Sequence, residues 1–138
     1  MSFSTKRILL VDDDIDICGA VKLLLNRSGF RVKTLNTMTD ALRIARSEHF
    51  DLFILDTRLQ DGTGLELCRS IRSFEQNTPI LFHSASAYAE DKEKGLQAGA
   101  QAYLTKPVDF DALEQIVTQL VSADHLSQAQ RSDVITST

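Results

Sequence analysis

The sequence predicts an α/β fold: a five-stranded parallel sheet, doubly wound, with helices on both faces. Three observations lead there. Short apolar runs alternate with stretches of helical spacing five times along the chain. Runs such as Ile8-Leu9-Leu10-Val11 and Leu52-Phe53-Ile54-Leu55 are continuous rather than alternating, as strands buried on both faces are. Parallel neighbours need a crossover of a dozen residues or so, and each intervening helix supplies one of the favoured right-handed type.

The elements follow in order. The first apolar run ends in Asp12-Asp13-Asp14, and helical spacing then carries Ile17, Val21, Leu24 and Leu25 on one stripe. Asp14 can cap that helix, and Ser28-Gly29 stops it. Phe30 to Leu35 alternates apolar and polar residues, as a half-buried edge strand does. Thr37 or Thr39 opens a short helix with Ala41, Leu42, Ile44 and Ala45. The third strand, Leu52 to Leu55, stops at Asp56. Asp61-Gly62-Thr63-Gly64 reads as a turn, followed by a helix with Leu65, Leu67, Cys68 and Ile71 inward.

Asn77-Thr78-Pro79 breaks that helix before the fourth run, Ile80-Leu81-Phe82, which leads into His83-Ser84-Ala85-Ser86. The stretch from Tyr88 to Gln97 is helical but polar, with few anchors, and is expected to be the most mobile element. Ala102-Tyr103-Leu104 forms the fifth strand, ahead of Thr105-Lys106-Pro107. Asp109 caps a last amphipathic helix that turns Phe110, Leu113, Ile116, Val117, Leu120 and Val121 inward. Residues 6–121 are thus expected to form one domain. Residues 122–138, rich in Ser, Gln and Thr, read as a flexible C-terminal tail or linker.

Composition narrows the function. A chain of 138 residues, 43% hydrophobic and 25% charged, suits one soluble domain. A net charge of −4 with scattered Lys and Arg argues against direct nucleic-acid or anionic-membrane partners. No apolar stretch approaches the roughly 18 residues that span a bilayer. Met1 to Lys6 lacks the apolar region of a secretory signal. Cys18 and Cys68 have no CxxC spacing and fit buried free thiols, so a reducing cytoplasm is the expected location.

In a sheet of this kind every strand-to-helix loop opens at one edge, where the chemistry collects. That edge receives Asp12 and Asp13 after the first strand, Asp56 after the third, Ser84 after the fourth and Lys106 after the fifth. Carboxylates so close repel unless a positive charge sits among them. Mg²⁺ does this well with one or two carboxylates, keeping positions for water or phosphate oxygens. An aspartate beside such an ion, a hydroxyl and an ammonium has what phosphoryl transfer needs. The carboxylate attacks, while the cations and the hydroxyl stabilise the equatorial oxygens.

Taken together, these motifs resemble the receiver domain of two-component response regulators, a CheY-like family, from Lys6 to about Val121. The resemblance rests on Ile8 to Asp14, on Asp56 with Gly64 eight residues on, on Ser84-Ala85, and on Tyr103-Leu104-Thr105-Lys106-Pro107. It implies a flavodoxin-like strand order of 2-1-3-4-5. It implies that Asp56 accepts a phosphoryl group, with Mg²⁺, from a histidine kinase or histidine phosphotransfer protein. Asp13, Asp56 and the Arg58 backbone carbonyl would ligate the metal directly, with Asp12 acting largely through water.

Further roles follow from the same resemblance. Ser84 matches the switch hydroxyl, Lys106 the lysine that pairs with the phosphoryl group, and Lys106-Pro107 a peptide bond that is cis in the family. Tyr103 matches the switch aromatic, which turns inward as Ser84 moves toward Asp56. The face of the fourth helix, fifth strand and fifth helix would change for a downstream protein partner, with a phosphorylation-dependent dimer as one form of output. The protein would be no enzyme beyond its own phosphorylation and dephosphorylation.

Some positions depart from the pattern. His83 stands where the family generally has an apolar residue; strand alternation turns it away from Ser84, and it reads as a satisfied, partly buried histidine rather than a pH sensor. His49 and His125 read as surface residues. Gln60 replaces a common proline, which predicts a less rigid loop. Arg58 and Ser86 flank the path of hydrolytic water, and the Arg58 side chain is expected to lie across the phosphoryl group and alter its lifetime.

Two other chemistries fit less well. An FMN module would need a Gly- and hydroxyl-rich phosphate loop where Asp12-Asp13-Asp14 stands. A haloacid-dehalogenase-type phosphatase wants a second aspartate where Arg58 stands. The region after Ser122 supplies no DNA-binding motif, so a stand-alone protein is favoured over the input half of a larger regulator.

Overall fold

The computed structural model describes residues 5–107 and 109–122; His125 and nearly all of the expected tail lie outside them. Its elements are β1 (Arg7–Val11), α1 (Ile15–Arg27), β2 (Arg31–Leu35), α2 (Met38–Ser47), β3 (Leu52–Leu55), β4 (Arg58–Leu59), β5 (Gly62–Thr63), α3 (Gly64–Arg72), β6 (Ile80–Ser84), α4 (Ala89–Gln97), β7 (Ala102–Thr105) and α5 (Phe110–Ser122). Five strands form one parallel sheet in the order β2-β1-β3-β6-β7, the expected order when the sheet's strands are ranked along the chain.

Side-chain alternation divides the core in two. Leu10, Ile54, Leu81 and Leu104 face α1 and α5, where Val21, Leu25, Leu113 and Val117 meet them. Leu9, Phe53, Phe82 and Tyr103 face the other way, toward Ile44 of α2 and Leu67 and Ile71 of α3. Each fully buried aliphatic side chain contributes about 1.5–3 kcal/mol of transfer free energy before entropy is counted. Central strands β1 and β3 are apolar on both faces for that reason.

The helix starts follow capping chemistry. Asp14 accepts from the N–H groups of Asp16 and Ile17 to begin α1, and Thr37 accepts from Asp40 to begin α2. Asp109 accepts from the Asp111 N–H at the head of α5. In α4 only Gly95 is fully buried, and Tyr88 makes no side-chain cap, so few contacts secure it, as its polar sequence predicts.

Three expectations change. Phe110 is 48% exposed rather than inward: it shares the helical angle of Val117 and Val121 but opens α5, nearly a turn ahead of Leu113, the first buried residue of that helix. The segment expected as a simple turn is instead a small antiparallel ladder, pairing Arg58 with Thr63 and Leu59 with Gly62. Nor is the loop at Gln60 left slack. The Asp61 carboxylate accepts from the N–H groups of Met38 and Thr39 and from the Thr39 hydroxyl, tying the ladder to the start of α2. Those donors hold the Asp61 carboxyl down at about 2.

Candidate functional site

Strand parity places the site. Leu10, Ile54 and Leu104 point toward α1 and α5, so Asp12, Asp56 and Lys106, each two residues further on, emerge on the same side at the carboxyl edge. The backbone holds this row together. Asp12 N–H donates to Leu35 O at 3.1 Å, Asp56 N–H to Val11 O at 2.9 Å, and Lys106 N–H to Ser84 O at 2.7 Å. The Lys106-Pro107 peptide is cis, as the resemblance implies.

The side chains converge. Lys106 Nζ donates to Asp12 Oδ2 at 2.8 Å and to Asp56 Oδ2 at 3.2 Å. Burial works against this ammonium, but the hydrogen bond to Asp12 and the charges of Asp12 and Asp56 outweigh it and hold its pKa above the usual lysine value. Burial first, and the Asp12 charge second, lift the Asp56 carboxyl above the usual carboxylate range, against the pull of Lys106.

Asp12, Asp13 and Asp56 each offer an oxygen, and the three oxygens lie within 4.8 Å of one another. One ammonium against three carboxylates leaves negative charge in excess. An all-oxygen donor set of this charge fits a hard divalent cation such as Mg²⁺. The group opens into a cleft of about 990 Å³ lined in part by Asp13, Asp56, Thr57, Arg58, Ser84 and Asp91. The Arg58 side chain is exposed, and the Arg58 backbone N–H donates to Asp56 Oδ1 at 3.4 Å.

Ser84 and Tyr103 are linked through Ser86. The Ser84 Oγ is buried, accepts the Ser86 N–H at 3.1 Å and lies 2.6 Å from Thr57 Oγ1. Tyr103 is only 1% exposed, and its hydroxyl donates to Ser86 O at 2.9 Å. The inward position expected of a switched tyrosine is therefore the position it holds here. The Ser86 hydroxyl donates to Asp91 in the first turn of α4. Thr57 was not singled out in the sequence, since a threonine after an aspartate gives no sign of what its hydroxyl meets 27 residues away.

His83 corrects an expectation. It does point away from Ser84, toward α1 and α5, but it is buried at 4% exposed, and neither ring nitrogen has a partner among the described residues. Its burial, followed by the Lys106 charge, pushes the imidazole down to about 4, so it is neutral at pH 7. His49 is exposed beside Asp51, as expected, with 3.3 Å between Nε2 and Oδ1. Cys18 and Cys68 are free and buried, and burial pushes both thiols up to about 11.

A buried neutral histidine makes the fold acid-sensitive. Its folded pKa lies below the unfolded value, so the unfolded chain binds the proton more readily. Stability is lost as pH falls below about 6.5 toward 4. His83→Leu is expected to stabilise the domain at pH 7 by about 1–2 kcal/mol, because an unsatisfied polar ring leaves the core. The advantage should widen by about 2 kcal/mol at pH 5. Urea unfolding of both proteins at the two pH values checks this, and a pH-independent difference would contradict it.

Comparisons with known proteins agree with this geometry. The model of the response regulator receiver domain family matches residues 8–118. The chain is 34% identical over 129 residues to the transcriptional regulatory protein ZraR of Klebsiella oxytoca, covering 94% of this chain and 29% of that protein. It is 32% identical over 130 residues to the cell cycle response regulator CtrA of Brucella ovis, covering 94% of this chain and 55% of the relative. The chain thus spans about half or less of these relatives' length. A CheY-like receiver domain protein from Methanospirillum hungatei superposes with a TM-score of 0.84 at 30% identity, over 88% of this chain and 97% of that one. With the fold, the converging acids and lysine, and these likenesses in agreement, the chain belongs to the response regulator receiver domain family.

Proposed function

We propose that this domain accepts a phosphoryl group on Asp56 from the phosphohistidine of a histidine kinase or histidine phosphotransfer protein. The observation that carries this reading is the Lys106 ammonium held between Asp12 and Asp56, the latter a lining residue of the cleft. An oxygen of the Asp56 carboxylate attacks phosphorus as the phosphorus–nitrogen bond breaks, and the imidazole leaves on the donor protein. Lys106 favours the ionised form of the acceptor against its burial, and its Nζ stands ready to pair with a phosphoryl oxygen. The Ser84 hydroxyl donates to another. Mg²⁺ held by Asp12, Asp13, Asp56 and the Arg58 carbonyl supplies charge neutralisation on the phosphoryl oxygens when bound.

The output is a population shift. Ser84 and Tyr103 both bond to Ser86, so drawing the Ser84 hydroxyl toward Asp56 biases the ring and the face formed by α4, β7 and α5. That face is where a downstream protein partner would read the state. The Arg58 side chain, exposed at the cleft, would govern access of hydrolytic water.

Mass spectrometry after incubation with acetyl phosphate tests the proposal. The chain should gain one phosphoryl group with Mg²⁺ present and none with excess chelator, and the modified peptide should contain Asp56. Uptake on another residue, or uptake indifferent to the metal, would refute it.

A further inference from the structure

Thr57 brings a second hydroxyl to the switch residue. Its Oγ1 lies 2.6 Å from Ser84 Oγ, which also accepts the Ser86 N–H at 3.1 Å. Among the described residues no hydrogen bond joins Ser84 to Asp56. The backbone of Thr57 is fixed independently of its side chain. Its carbonyl accepts the Gly64 N–H at 3.0 Å, and Gly64 sits so close that an added Cβ would stand 2.1 Å from Asp56 O. The hydroxyl of Thr57 is therefore presented to Ser84 by a rigid crossing, not by a loop free to follow it.

A serine hydroxyl has one proton and two lone pairs. The Ser86 N–H occupies one lone pair, and Thr57 takes either the proton or the other lone pair. In the first arrangement the proton that a phosphoryl oxygen would receive is already engaged. In the second the oxygen is held between two donors. Both arrangements compete with donation toward a group on Asp56.

We propose that Thr57 is a positioning residue, a latch that retains the Ser84 hydroxyl away from the acceptor and must release it for the switched state to form. This rests on the phosphoacceptor reading of Asp56. The latch sets the balance between resting and switched states without touching the phosphoryl group. A hydrogen bond between neutral hydroxyls has the right scale, strong enough to matter and weak enough to be exchanged for a charge-assisted one.

The test is a titration of the full chain with beryllofluoride and Mg²⁺, followed by the NMR signals of Tyr103. Thr57→Val keeps the side chain's shape and removes the hydroxyl, so it is expected to bind about three- to tenfold tighter than the parent. Thr57→Ala, a second variant without the hydroxyl, should gain similarly, and Thr57→Ser should return to the parental affinity. In a Ser84→Ala background, Thr57→Val should change nothing, an outcome that a general packing effect would not produce. Unchanged or weaker binding by both hydroxyl-free variants, or a gain that persists without the Ser84 hydroxyl, overturns the latch and leaves the acceptor assignment standing. If the parent itself binds no beryllofluoride, the acceptor assignment falls and the latch with it.

Discussion

Asp56→Asn is expected to take up no phosphoryl group from acetyl phosphate while resisting urea better than the parent. The loss is chemical: a carboxamide is no nucleophile toward phosphorus, and in the proposed function Ser84 and Lys106 assist Asp56 and do not replace it. The gain is electrostatic. The Asp56 side chain is 10% exposed, and its folded pKa is raised by burial and by Asp12. A carboxyl raised in the folded state contributes stability below its unfolded pKa and loses it as pH rises through the folded value. At pH 7 that contribution is gone, so a neutral isostere should recover on the order of 1 kcal/mol. The difference should shrink below about pH 4, where the parent's carboxyl is protonated in both states. Mass spectrometry checks the first expectation and urea midpoints at the two pH values the second. A variant less stable than the parent at pH 7 would show that the Lys106 pairing outweighs the repulsion.

Gly64→Ala should be far more damaging than its single methyl group suggests. The added Cβ would lie 2.1 Å from the Asp56 carbonyl oxygen and 2.9 Å from both its carbonyl carbon and Phe82 Cε1. The first two are backbone atoms at the end of a strand buried on both faces, so no side chain can swing aside. Overpacking of this kind costs about 3 kcal/mol or more. Relief requires the Asp56 peptide to move, and a displacement near 1 Å at an attacking group costs about a hundredfold in rate. Gly19 provides the contrast. It is exposed within α1, and a Cβ there meets nothing within 4 Å. Gly19→Ala should therefore stabilise the chain by about 0.5–1 kcal/mol. Equal urea midpoints for the two variants would contradict the close approach at Gly64.

How much of this was legible depends on how each residue signals. Asp12, Asp13, Asp56 and Lys106 were legible because each follows an apolar run, and parallel topology sends all such residues to one edge. The hairpin of β4 and β5 was not, since strands two residues long carry no periodicity. Phe110 was misplaced because it fits the stripe by type and by angle, while its place at the very start of the helix carries it past the edge of the core. The unpartnered ring of His83 and the meeting of Thr57 with Ser84 depend on what lies opposite them in space, which no local pattern encodes. Asp61 looked like a turn former, and only its distance from α2 along the folded surface reveals it as that helix's anchor.

Ser86 gives its N–H to the serine two places before it and its carbonyl to the phenol across the sheet. Only two torsion angles of one residue separate those anchor points. Alcohol and ring thus hang on one shared residue, over a span shorter than 4 Å along the main chain. A fluorine label on the tyrosine ring would report any movement of that shared anchor.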